Sequence, residues 1–315
     1  MRRDVRLSVG PAAEQWVVAA LVLILSCAAL LCLGYQALAL THRYPLDYGE
    51  APLLDQAMRL AAGGALYRAE LSSPPYTISN YPPLYVMLLA PFVKLFGPSF
   101  FFGRLLSALG AWISAALLGW MVHLHTRDRL AAATTGLLFL ALPYVVHWSS
   151  LLRVDLLALA LSLGALALLV HRPDGRWSFR AAVVLLVGAI ATRQTYALAA
   201  PLAACAWLFV RDRRRALQLA ALVGGTSLAG FALLNGLTHG GFYFNIVTAN
   251  VNEFDPRRLA WNLGRLLETA PVLLCASGVA LFLLPRRNPL WPLAAPYAVG
   301  AACSALTIGK IGSNV

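Results

Sequence analysis

The sequence predicts an all-α, polytopic membrane protein with about nine transmembrane helices and further juxtamembrane helices on the outer side. Three observations predict it. Hydrophobic residues fill 60% of the 315 positions and charged residues only 12%, more apolar surface than one water-soluble core of this length can use. Apolar runs of roughly 20 residues, enough to cross about 30 Å of hydrocarbon, recur along the whole chain. The arginines behind the net charge of +12 gather in short clusters between those runs, as in positive-inside loops. No stacking aromatics interleave with them, which speaks against nucleic acid as a partner.

The expected spans cover residues 16–40, 99–124, 130–148, 151–171, 178–192, 194–210, 216–237, 269–285 and 289–308, all within one domain, 1–315. The first apolar run, from Trp16 to Leu40, is too long for a signal peptide and has no small-residue cleavage site, so it reads as a retained anchor. With Arg2, Arg3 and Arg6 in the cytoplasm, every even-numbered span must end at a basic loop. The sequence places such loops at Arg127/Arg129, at Arg172/Arg176/Arg180, at Arg211/Arg213/Arg214/Arg215 and at Arg286/Arg287. The amino terminus is therefore expected inside the cell membrane and Val315 outside. All five cysteines lie in apolar runs, and His123, His125, His147, His171 and His239 sit at helix ends without ligand spacing. Neither a disulfide nor a metal is implied.

Two outer segments hold most of the polar residues. Residues 41–98 are rich in proline and tyrosine, and loops of that length usually have a function of their own. Within them, Ala51 to Ala62 predicts an interfacial helix with Leu54, Met58 and Ala61 on one face and Asp55 paired with Arg59 at i, i+4. Tyr81 to Gly97, opened by Asn80 as a cap and prolines in the first turn, is apolar but short and contains Pro91 and Lys94. It is placed as a juxtamembrane or re-entrant helix, because a crossing there would turn every later arginine cluster outside. The second segment, 238–268, offers Asp255-Pro256 as cap and first turn of another interfacial helix. That helix sets Leu259, Leu263, Leu266 and Leu267 on one face, with Arg257, Arg258 and Arg265 elsewhere. Three surface helices around an outer vestibule suit a substrate that lives in the bilayer, so membrane lipid is an expected partner.

Ionisable residues are missing from the middle of the expected spans and collect at their outer ends, which argues for chemistry at the outer surface. Asp47 and Glu50 stand three residues apart just above the first span. One can serve as general base while the other orients a hydroxyl or amine. Equally, Asp47 can cap the following helix and Glu50 can enrich its first turn; the balance favours function for Asp47 and is even for Glu50. Arg153 and Asp155 open the fourth span either as a local ion pair or, with Arg193 and Lys310 at the same level, as part of a phosphate-holding group.

The outer motifs run Asp47-Tyr48-Gly49-Glu50-Ala51, Gly64-Ala65-Leu66-Tyr67, Asn80-Tyr81-Pro82-Pro83-Leu84-Tyr85, Leu95-Phe96-Gly97-Pro98-Ser99 and Arg104-Leu105-Leu106-Ser107. That order resembles bacterial members of glycosyltransferase family 39, in the GT-C superfamily, which includes protein O-mannosyltransferases and lipid A aminoarabinose transferases. The resemblance implies a GT-C-like fold and inverting sugar transfer from a polyprenyl-phosphate donor to an acceptor at the outer face of the cell membrane. The family's acidic base carries over to Asp47, with Glu50 as second acid. Many relatives have adjacent acids where Tyr48 and Gly49 intervene here, so the base remains either one. Asn80 or Tyr81 stands where many relatives have lysine, which leaves Arg153, Arg193 and Lys310 as expected ligands of the donor phosphate. Asn80, Tyr81, Tyr85 and Asp155 are expected to line the substrate cavity, and no metal or other cofactor is expected. Relatives are often longer, and the stop after Gly312-Ser313-Asn314-Val315 reads as a truncation. Two other classes share the layout. A transporter or flippase of a lipid-linked molecule should show midplane polar residues or inverted repeats, and a noncatalytic scaffold needs no acids and cations at one level.

This layout fixes an orientation. Cysteines introduced at Tyr76 and Asn252 are expected to react with an impermeant reagent in intact cells, and one at Arg213 to stay silent; the reverse pattern overturns the orientation.

Overall fold

A computed structural model of the chain describes residues 11–283, 288 and 290–310, and its regular structure is helical. Arg2, Arg3 and Arg6, the loop at Arg286 and Arg287, and residues 311–315 lie outside the described residues. Helix α1 (Pro11–Thr41) is followed by α2 (Glu50–Ala61) and α3 (Leu84–Phe96), within residues 41–98. Then come α4 (Phe100–Thr126), α5 (Arg129–Ala141), α6 (Pro143–Ser149), α7 (Asp155–His171), α8 (Arg176–Thr192), α9 (Ala199–Phe209) and α10 (Arg213–Leu237). Next come α11 (Gly241–Ile246) and α12 (Pro256–Thr269), and α13 (Pro271–Leu283) and α14 (Trp291–Ala305) complete the order.

Short polar side chains start several of these helices by taking up otherwise unpaired amides. The Ser99 hydroxyl accepts from Phe101 N at the start of α4, Asp128 accepts from Leu130 N at α5, and Asp212 accepts from Arg214 N at α10. Asp255 accepts from Arg257 N (2.8 Å) with Pro256 as first helical residue, the start that the sequence indicates for α12.

Among the described residues, four helical segments are long and apolar enough to cross a membrane: Gln15–Thr41, Phe100–Thr126, Arg213–Leu237 and Trp291–Gly309. Two bent pairs raise this to six if each pair counts as one span, α5 with α6 at 66° and α12 with α13 at 97°. Nine crossings are thus not established, and the physical reasons are local. Pro143 and Pro271 open new helices at the bends, since proline cannot supply the amide that would continue the preceding one. Residues 151–154 are not helical, so α7 begins only at Asp155, and its 17 residues reach roughly 26 Å against a hydrocarbon layer of about 30 Å. Around these segments large apolar side chains face outward, among them Leu31, Leu228 and Phe282.

The interior divides into three packed regions. One joins α1, α4, α5 and α6 through Ala29, Ala111, Ala115, Leu140 and Val145. A second packs α7 and α8 against α9 and α10 around Leu166, Leu186, Trp207 and Leu219. Small residues permit close helix approach here. A Cβ at Gly110 of α4 would sit 2.7 Å from the Leu156 carbonyl oxygen on α7. Between α1, α4 and α6 a buried polar bridge forms: Gln36 Nε2 donates to Ser149 Oγ (2.7 Å), and Trp112 Nε1 donates to Gln36 Oε1 (2.9 Å).

The third region packs residues from 53–93 against residues from 231–247. Helix α2 buries Leu53, Leu54 and Ala57 against Tyr85, Val86 and Leu89 of α3, while Met58, expected on the same face, is exposed. The Asp55–Arg59 pair forms as expected, at 3.0 Å. Tyr67 meets Phe242 edge to face at 4.8 Å. Asn245 of α11 is the polar clasp, accepting from Ser79 N (2.9 Å) and donating to the Arg68 and Gly241 carbonyls (2.8 Å each). Asn245→Ala should therefore cost about 1–3 kcal/mol, because it strands buried backbone groups. Thermal unfolding of the detergent-solubilised chain checks this, and an unchanged midpoint would contradict the clasp.

Candidate functional site

The site grows from the turn between α1 and α2. Arg104 is the fifth residue of α4 and is fully buried. Its Nη1 donates to the carbonyls of Ala39 and His42 (2.6 Å each), and its Nη2 to that of Tyr44 (2.7 Å). The remaining donors reach Glu50 in a two-pronged pair, Nε to Oε1 and Nη2 to Oε2, both 2.8 Å. All five N–H groups of the guanidinium are thereby used. Glu50, also fully buried, accepts in addition from Leu46 N (2.6 Å) and Leu152 N (2.7 Å). Burial pushes the Glu50 carboxyl up, but the hydrogen bonds from Arg104, Leu152 and Leu46 and the guanidinium charge outweigh it, holding the group below the usual 4.5.

Asp47 sits on the outside of the same turn. Its Oδ1 accepts from Gly49 N (2.9 Å) and from Arg153 Nη1 (3.2 Å); no donor among the described residues bonds its Oδ2. Its side chain keeps 18% of its surface exposed, against 0% for Glu50. The two acids thus occupy opposite environments three residues apart. Gly49 makes the arrangement possible, since a Cβ there would lie 1.7 Å from Arg153 Nη1.

Arg153 is nearly buried in the stretch ahead of α7, its backbone tied to the Ser107 hydroxyl on α4. Its guanidinium lies 4.6 Å from the Trp148 ring, and its buried Nε has no hydrogen-bond partner among the described residues. The other expected phosphate ligands take partners of their own. Arg193 forms an ion pair with Asp155, and Lys310 donates to the Asn250 carbonyl (3.4 Å) while its backbone bridges to Phe254.

The expected cavity residues also have partners of their own. The Asn80 carbonyl accepts from Gln194, the Tyr81 carbonyl from Tyr67, and fully buried Tyr85 donates to the Gly103 carbonyl (2.9 Å). Burial drives the Tyr85 hydroxyl well above its usual range, so it keeps its proton at neutral pH. Asp155 has one carboxylate oxygen buried without a hydrogen bond in the described residues. A cavity of about 250 Å³ opens beside Trp148, between α6 and α12, lined by Tyr144, His147, Trp261, Arg265 and Thr269. Sequence reasoning missed Arg104 as the partner of Glu50, although a charge five residues into an apolar helix is the signal of a buried pair.

No family model, curated protein or solved structure matches the chain.

Glu50→Gln removes the charge that Arg104 faces and is expected to cost about 3–5 kcal/mol of stability, read as a lowered unfolding midpoint. The pH dependence has a definite sign. Glu50 has its carboxyl depressed on folding, so the stability it adds is complete above the unfolded value near 4.5 and is lost as pH falls through the lower folded value. Wild type should lose stability across that acid window, and Glu50→Gln should lose less; parallel profiles would contradict the assignment.

Proposed function

We propose that the chain transfers a sugar from a polyprenyl-phosphate donor to an acceptor at the outer face of the cell membrane, with Asp47 as general base. The reading keeps the orientation expected from the arginine clusters, with the amino terminus in the cytoplasm, and a GT-C-like bundle in which the short helices α7, α8 and α9 also cross.

The observation that carries it is the split between the two acids. Glu50 has its oxygens occupied by Arg104 and by backbone amides, so it is a poor proton acceptor and builds the turn instead. Asp47 keeps Oδ2 without a described donor and is oriented by Gly49 N and Arg153. A base needs that combination of fixed position and open lone pair. In the proposed step the acceptor's oxygen or nitrogen attacks the anomeric carbon as Asp47 takes its proton. The bond from that carbon to the phosphate oxygen breaks, and polyprenyl phosphate leaves with the electron pair. Arg153, whose Nε has no hydrogen-bond partner among the described residues, supplies positive charge where negative charge develops. Arg193 and Lys310, expected with it as phosphate ligands, already hold Asp155 and Asn250, so in this reading they bind donor only by leaving those partners.

Incubation of the purified chain with radiolabelled polyprenyl-phosphate sugars and a membrane extract tests the reading. Label should pass to an acceptor, and Asp47→Asn should lower the rate about 10²–10⁴-fold with the unfolding midpoint preserved. Unchanged turnover in Asp47→Asn, or loss of folded protein without a specific rate defect, contradicts Asp47 as base.

A further inference from the structure

The cavity between α6 and α12 carries a chemistry that the transfer reading does not specify. Trp148 and Trp261 supply two indole rings and Tyr144 a phenol, which present flat apolar faces of the kind that cover the C–H face of a sugar ring. Arg265 and His147 are the ionisable residues of the lining, and no acidic side chain belongs to it. Arg265 also lies 5.6 Å from the Trp261 ring, so one wall offers an aromatic face and a cation together. The volume of about 250 Å³ falls just under the about 300–1,000 Å³ of ordinary small-molecule sites and holds one ring, with His147, Trp261, Arg265 and Thr269 exposed at its open side.

Position adds to composition. Trp148 lines the cavity and also carries the Arg153 guanidinium at 4.6 Å, and that guanidinium bonds Asp47 at 3.2 Å. Two side chains therefore separate the cavity from the proposed base. On its other side α12 leaves Leu263 and Leu267 exposed, an amphipathic helix suited to the membrane surface.

We infer that this cavity binds an anionic saccharide unit, a single sugar ring bearing a phosphate or carboxylate, as the acceptor side of the reaction. The role as acceptor site rests on the transfer reading; the choice of ligand rests on the lining. Trp148 and Trp261 stack on the ring, Arg265 pairs with the anionic group, and His147 and Thr269 are placed to bond hydroxyls.

The test is direct binding to the full chain in nanodiscs, by calorimetry, with glucose 6-phosphate, glucose and inorganic phosphate as probes. Glucose 6-phosphate should bind more tightly than either of the others. Trp261→Ala and Arg265→Gln should each weaken it roughly tenfold, and Arg265→Lys should restore part of the loss. Trp261 is 64% exposed, so its truncation leaves the fold standing, and an unchanged unfolding midpoint verifies that. Asp47→Asn should leave these affinities as they are. The inference is overturned if neither variant weakens binding, or if phosphate alone binds as well as the sugar phosphate, the mark of a bare anion site. Because the readout is binding and not turnover, failure of the transfer reading would leave these values untouched, and the two failures are distinct.

Discussion

One end of the molecule depends on the burial of one ion pair, Arg104 with Glu50. Taking two charges out of water costs several kcal/mol per ion, and such a pair survives only when every remaining donor and lone pair finds a partner. Arg104 meets that condition by donating to three carbonyls at the end of α1 and the start of the turn, as well as to the carboxylate. Glu50 meets it by gathering amides from its own turn and from Leu152 ahead of α7. One guanidinium and one carboxylate thus tie together α1, α2, α4 and the approach to α7. Most of these bonds are to backbone, so the pair sets chain direction and not only side-chain packing.

That constraint explains how two acids three residues apart come to differ. Glu50 points inward because Arg104 is there, and the tightened turn throws Asp47 outward towards Arg153. Gly49 lets the guanidinium approach the turn, and Trp148 holds it from beside. A buried acid with its lone pairs filled is architecture. A partly exposed acid with an open oxygen next to a cation is equipped for proton transfer. The second outer segment then closes over the first through Asn245 and Phe242, so the turn is supported by chain far away in sequence.

Much of this was legible from residue types. The all-helical class, the Asp255-Pro256 helix start and the Asp55–Arg59 pair follow from apolar composition, caps and spacing. The crossings were less legible, because run length does not report the breaks. Residues 130–148 form one apolar run, yet Pro143 bends it, and 151–154 leave the helix so that Leu152 N can reach Glu50. The site was legible as a set of residue types at one level, but not as partnerships. Arg153, Arg193 and Lys310 look alike in sequence, while the structure gives them Asp47, Asp155 and the Asn250 carbonyl respectively. Such pairings depend on which helices pack together, and spacing along one chain holds no information on that.

The central claim is that Glu50 and Arg104 act as one structural unit. A double-mutant cycle on thermal unfolding, using Glu50→Gln, Arg104→Met and the pair together, measures this most directly. The account predicts that the double variant is less destabilised than the sum of the single ones, with a coupling at the upper end of about 0.5–3 kcal/mol. It should still fall below wild type, because the carbonyls of Ala39, His42 and Tyr44 lose their donor. Additive losses would contradict the account, since they would mean that the two residues stabilise the molecule independently.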